Sequence, residues 1–251
     1  MSRRAIVAIA VVLVLICGRL LVSRGIHPVA AAHYSAEPHV ASSPGLAPTA
    51  SVAAREMDAM RSPAMPESVA GVNDIDPHKA FGSKSAPIVM EVFSDFQCPA
   101  CKTLFLTTNR QLMDNYVTTG KVYLIHRDFP LPMHAYSRIA ARYARAAAEI
   151  GKIELVEKTL FENQEKWEQS GDVDGTLAAV LSAADMTKVR ALVKGGTIEP
   201  LIDKDFALGQ MYRVNQTPTS VFHSKGQTYP YSGAMSYEIL HQFLDQLLSQ
   251  K

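Results

Sequence analysis

Ile88-Val89-Met90-Glu91-Val92-Phe93 leads through Ser94-Asp95-Phe96-Gln97 into Cys98-Pro99-Ala100-Cys101. The first six residues follow Ala86-Pro87 and are apolar and partly β-branched, the composition of a buried strand. Beyond the second cysteine, Lys102 to Asn115 carries apolar residues at 104, 105, 106, 112 and 113, which predicts a helix. Pro99 then takes the first helical position, where its missing N–H leaves nothing unsatisfied. A thiol at Cys98 faces unpaired backbone N–H groups and the positive end of the helix dipole. Both lower its pKa and supply thiolate near neutral pH. Cys101 lies one turn on, placed to attack a mixed disulfide formed at Cys98.

Other uses of such a pair fit less well. The chain has three cysteines, and the third, Cys17, belongs to an N-terminal apolar run. Structural zinc needs four ligands. No second cysteine pair exists, and His126 and His134 are too widely spaced for a finger. Covalently attached haem needs His directly after the second cysteine, where Lys102 stands. A purely structural disulfide closing so short a loop restrains little unfolded-chain entropy. No metal and no cofactor is expected, and the pair reads as a redox centre.

Further along, Val122-Tyr123-Leu124-Ile125 is a second strand, ended by Pro130 and Pro132. Helical patterning follows over Ser137 to Glu149, Ile153 to Asn163, Asp172 to Ala183, Asp185 to Lys194 and Ile198 to Arg213. Thr219-Ser220-Val221-Phe222 and Gln227-Thr228-Tyr229-Pro230-Tyr231 are two strands around a Lys225-Gly226 turn. Ser236 caps a last helix whose apolar face carries Ile239, Leu240, Phe243, Leu244, Leu247 and Leu248. The order is strand, helix, strand, a helical block, two strands and a helix.

Phe93 to Cys101 resembles the redox motif of the DsbA-like thiol:disulfide oxidoreductases of the thioredoxin superfamily. His126-Arg127-Asp128-Phe129-Pro130-Leu131-Pro132-Met133-His134 resembles their passage from the second strand into a helical insertion. Val214-Asn215-Gln216-Thr217-Pro218-Thr219 resembles their cis-proline stretch, and Ser232-Gly233-Ala234 their entry to the last helix. The resemblance covers about residues 73–251. It implies an α/β thioredoxin fold with an inserted helical domain at about 133–197, and a cis Thr217–Pro218 bond facing the cysteines. It further implies Cys98, Cys101 and Pro218 as catalytic residues, with Thr217, Pro99 and Ala100 binding substrate. A cis proline would offer the Thr217 backbone to an extended client strand.

Two departures stand out. The family's prototype has His before the second cysteine, where this chain has Ala100. Without the imidazole the couple is expected to be less oxidising, between roughly −120 mV and thioredoxin's −270 mV. Many relatives carry a buried acid six residues before the nucleophile as a proton shuttle, and here that position is Val92. Glu91 next door faces the other way by strand alternation. Asp95 is the remaining candidate for a proton relay, with fixing of the loop as its competing role. His134 reads as a corner residue that hydrogen-bonds a loop.

The N-terminal segment reads as an address. Arg3-Arg4 precedes an apolar run from Ala5 to Cys17, extended after Gly18-Arg19 by Leu20-Leu21-Val22. Residues 1–24 are a cleaved signal or a retained membrane anchor spanning 5–22, with Ala30-Ala31-Ala32 a cleavage site set rather far back. Their four arginines, with no acids, place the C-terminal bulk outside the cytoplasm. Residues 25–72, rich in Ala, Pro and Ser, read as a disordered tether. A net charge of +1 argues against nucleic-acid binding.

The expected function is a periplasmic enzyme that donates disulfides to reduced or unfolded exported polypeptides. A membrane quinone-linked partner, inferred from the family, would reoxidise it. A reductase or isomerase, or a peptide-binding holdase without turnover, are the alternatives.

Overall fold

The computed structural model describes residues 75–250. The expected anchor at 1–24 and tether at 25–72 lie outside them. Among the described residues no helix is long and apolar enough to cross a membrane.

Five strands form one sheet: β1 (Ala80–Phe81), β2 (Ile88–Ser94), β3 (Val122–Asp128), β4 (Thr219–Ser224) and β5 (Gln227–Ser232). Their spatial order is β1-β3-β2-β4-β5. Only β2 and β3 are parallel, and the helix between them supplies the crossover that a parallel pair needs. β1 is two residues long, too short to carry a periodicity, and the sequence pattern does not announce it.

Strand alternation divides β2 between two layers. Ile88, Met90 and Val92 pack with Leu104, Leu112 and Tyr116 of helix α1 (99–117) and with Leu240, Phe243, Leu244 and Leu247 of helix α8 (Tyr237–Ser249). Phe93 points to the opposite layer, against Leu208 of helix α7 (Glu199–Met211) and the neighbouring Tyr212. The register is set by this pattern, since a slip of one residue would put Glu91 among the α1 and α8 side chains.

Helix α1 starts at Pro99, three residues earlier than its apolar spacing indicates. It alternates α turns (Pro99–Thr103, Asn109–Leu112) with wider π turns (Leu104–Thr108, Met113–Val117). The hydroxyls of Thr103 and Thr107 donate to carbonyls four residues back, at 3.1 and 2.7 Å, a competition that bends helices.

Five helices separate β3 from α7: α2 (Ser137–Ala148), α3 (Ile153–Glu162), α4 (Gln164–Ser170), α5 (Val173–Ala178) and α6 (Ala183–Lys194). The helix expected over Asp172 to Ala183 is shorter, because Asp172 caps it through Gly175 N–H and Ser182 caps the next helix through Asp185 N–H. Helix α4 is a further element, anchored by Trp167, whose Nε1 donates to Leu160 O at 2.7 Å.

Gly209 brings α7 against the sheet. A Cβ there would lie 2.5 Å from the Phe129 ring and 3.0 Å from Phe93, so any side chain would push the helix away.

Candidate active site

Cys98 is the N-cap of α1, extended at φ −77°, ψ 120°, with Pro99 following. It sits where β2 ends and the crossover begins, at the carboxyl edge of the central strand. Cys101 is 1% exposed and Cys98 7%. Both are free thiols.

The sulfurs are held in unlike environments. Cys98 Sγ lies 3.2 Å from Thr217 O. The pKa of Cys98 is pushed down to about 5, foremost by a hydrogen bond from the Cys101 thiol. Burial opposes this, while Thr217 and the backbone N–H groups of Cys101 and Ala100 add to it. The order differs from the sequence reading, which put the helix amides first. The partner thiol, brought one helical turn from Cys98, contributes more than the amides do. Cys101 moves the opposite way, well above an ordinary thiol, because burial disfavours its charge and because it serves Cys98 as donor. One sulfur is thus an anion at neutral pH and its neighbour a thiol, the division that nucleophile and resolver need.

The Thr217–Pro218 bond is cis, and the preceding carbonyl is the one that meets Cys98. Pro218 is buried, Pro99 is exposed and Ala100 is partly exposed. Thr217 Oγ1 has no conventional partner among the described residues and acts on the Cys98 sulfur instead.

Asp95 is 1% exposed and ties three chain segments together. Oδ1 accepts from Gln97 N–H at 2.7 Å, Oδ2 from Leu131 N–H at 2.7 Å, and Oδ2 also meets His134 Nδ1 at 2.9 Å. Its contact with the redox pair is through the backbone, Asp95 N–H donating to Cys101 Sγ at 3.5 Å. The carboxylate is thus occupied by the loops, which is the competing role the sequence left for it. His134 is its corner partner.

Glu91 is fully buried on the far face of β2. It takes Arg127 Nε at 2.6 Å, Tyr212 Oη at 3.0 Å and His223 Nε2 at 3.0 Å. Burial pushes its pKa up, but the His223 hydrogen bond and the Arg127 charge outweigh this and hold it below the usual value.

Two glutamines support the loop, and the role of neither was read from the sequence. Gln164 on α4 donates through Nε2 to Phe96 O at 2.7 Å and to Cys98 O at 3.2 Å. Gln97 Oε1 accepts from Tyr136 N–H at the start of α2. These bonds join the motif loop to the helical layer, and only the folded chain brings Gln164 and Tyr136 there.

Residues 75–246 match the thioredoxin family. A probable disulfide bond formation protein D of Bacillus cereus is 24% identical over 147 residues, 56% of this chain and 68% of that protein. Among solved structures, α-DsbA1 of Wolbachia pipientis superposes with a TM-score of 0.59 at 19% identity, covering 67% of this chain and 89% of that one. Oxidised BdbD of Bacillus subtilis gives 0.57 at 21% identity, covering 68% and 93%. The chain belongs to the thioredoxin family, and its fold is the one these DsbA-like proteins share. Its inserted helices sit between β3 and β4.

Proposed function

We propose that this protein donates disulfides to reduced exported polypeptides through Cys98 and Cys101. The observation that carries this reading is the unlike setting of the two sulfurs: Cys98 at the start of α1, 3.2 Å from Thr217 O and with its pKa lowered to about 5, beside a buried Cys101 thiol. At pH 7 such a shift favours the reduced form by about 3 kcal/mol, equivalent to about 60 mV of added oxidising power. A dithiol stabilised in this way gives up its disulfide readily.

A client thiolate attacks Cys98 Sγ, the Cys98–Cys101 bond breaks, and Cys101 leaves with the electron pair. A second client thiol then attacks the client sulfur of the mixed disulfide and releases Cys98 as thiolate. The client is oxidised by two electrons and the protein reduced by two. Thr217 pairs with the client backbone beside Pro218, with Pro99 and Ala100 forming the lip. Asp95 keeps the loop in place. Residues 73–251 form the working domain, with the insertion at about 133–197. Residues 25–72 tether it outside the cytoplasm to the segment at 1–24, and a quinone-linked membrane protein restores the disulfide.

Equilibration against glutathione buffers tests the direction. The expected potential lies between roughly −120 and −270 mV. A value at or below thioredoxin's would make the protein a reductase. Cys98→Ala separates the holdase alternative, because a holdase keeps its suppression of aggregation when disulfide transfer is lost.

A further inference from the structure

The buried resolver poses a problem of its own. To close the disulfide, Cys101 must lose its proton, and to open it the departing Cys101 thiolate must regain one. Solvent does not reach it, since Cys101 is 1% exposed. Val92, beneath it, cannot help.

Behind Cys101 lies a cavity of about 20 Å³, enough for one water. Its wall includes Cys101, Val92, Asn109, His126 and Glu157. His126 pairs in register with Val92 on the adjacent strand, so its imidazole rises on the same face, toward α1. Nδ1 meets Glu157 Oε2 of α3 at 2.7 Å. Glu157 is almost fully buried, and this pairing sets the tautomer, with Nδ1 carrying the proton and Nε2 presenting its lone pair. Nε2 is shut off from solvent and has no partner among the described residues, and the same holds for Asn109 Oδ1. Two acceptors thus line a space of water size beside a thiol donor.

The other charged groups around this cavity are committed elsewhere. Lys79 Nζ is 2.6 Å from Asp128 Oδ1, Asp128 Oδ2 meets Arg145, and Arg127 bonds Glu91 and Asp205. On its outer side the dyad reaches a wide groove that opens to solvent, lined by Phe105, Asn109, His126, Glu157 and Glu162. His126 and Glu157 therefore stand in the wall between the cavity and the groove.

We propose that His126 is the proton acceptor and donor for Cys101, acting through one water of the size the cavity admits, with Glu157 as its positioning residue and the groove as the exit to solvent. The proposal rests on the redox role of the cysteine pair. On closure, Nε2 takes the Cys101 proton by way of the water, and the Cys101 thiolate attacks Cys98 Sγ of the mixed disulfide. The client sulfur leaves as thiolate with the electron pair. On opening, the imidazolium returns the proton to the departing Cys101 thiolate, so the proton count balances in both directions. Glu157 stabilises the imidazolium in between.

Stopped-flow reaction of the reduced full chain with glutathione disulfide separates the two steps. Capture of glutathione by Cys98 comes first, and its release as Cys101 closes the bond comes second. His126→Gln is expected to leave capture within about twofold and to slow release by roughly a hundredfold at pH 7. The pH dependence of release seen in the wild-type chain is expected to vanish in this variant. Added imidazole is expected to restore release in His126→Gly. Glu157→Gln keeps the hydrogen bond and removes the charge, so it is expected to slow release and displace its pH profile, providing a second reading should the His126 variants fold poorly. Release at the wild-type rate in His126→Gln or in Glu157→Gln, or slowed release with an unaltered pH profile, would overturn the proposal. If the wild-type chain captures no glutathione at all, the redox reading of the pair is what fails.

Discussion

At Cys98 the stabilisation of the anion is shared among a neighbouring thiol, a threonine hydroxyl and two backbone N–H groups, and the thiol contributes most. Absorbance at 240 nm should therefore follow a thiolate with a midpoint at about 5, and a midpoint at an ordinary thiol value would remove the basis for the proposed function. Cys101→Ala deletes the leading donor, so the midpoint should rise. If it stays put, the helix amides lead after all. The linkage has a definite sign. The folded value lies below the unfolded one, so the thiolate stabilises the reduced fold fully above about pH 9, and this is lost as the pH falls through about 5. The stability of the reduced protein relative to its disulfide form, from denaturant titrations of each, should fall over that window. Cys98 was legible because proline and cysteine at this spacing, after a strand, specify a helix start. The contribution of Cys101 was not, because it depends on how closely the two sulfurs approach.

Among the elements, α7 is the one whose position turns on a single residue. It lies flat on the sheet because Gly209 presents no side chain to Phe129 and Phe93. Phe129 is itself stacked on Phe206 at 4.6 Å and edge-on to Phe93 at 6.1 Å, so it has little room to yield. Gly209→Ala should cost about 1–3 kcal/mol in urea unfolding, despite the better helix propensity of alanine. A neutral or stabilising result would mean the ring moves freely. Most helices were legible from their apolar spacing. The limits of α5 and the existence of α4 were not, since caps at Asp172 and Ser182 overrode the run of helix formers and Trp167 bound α4 to α3 through the backbone of Leu160.

Across the whole molecule, a buried ionic network joins the layers. Arg127 on β3 connects Glu91 on β2 with Asp205 on α7, and Arg145 of the inserted α2 connects Asp128 with Asp205 and Asp76. Lys79, ahead of β1, meets Asp128 at 2.6 Å. Such pairs add little net stability compared with apolar packing, yet removing one partner strands a buried charge. Arg127→Met should cost about 3–5 kcal/mol by denaturant unfolding, and a cost under about 1 kcal/mol would show that water enters the seam. The network also fastens the inserted helices to the sheet that bears Cys98, so the same substitution should alter the Cys98 titration far less than Cys101→Ala does.

The order of strands and helices and the helix start at Cys98 were written in local patterns: β-branched runs, apolar spacing at helical period, and residues whose backbone preferences are narrow. Those patterns act over a turn or a strand, and they sufficed for the element order and the cysteine pair, while the thioredoxin architecture and the proline opposite the pair came from the resemblance of whole motifs to the DsbA-like family. Only the tertiary structure paired His126 with Glu157 behind Cys101, turned Asp95 to its loop contacts and drew six charged side chains into the interior. Such pairings join residues tens of positions apart, and a carboxylate or imidazole carries no mark in the sequence of which partner will meet it once water is excluded.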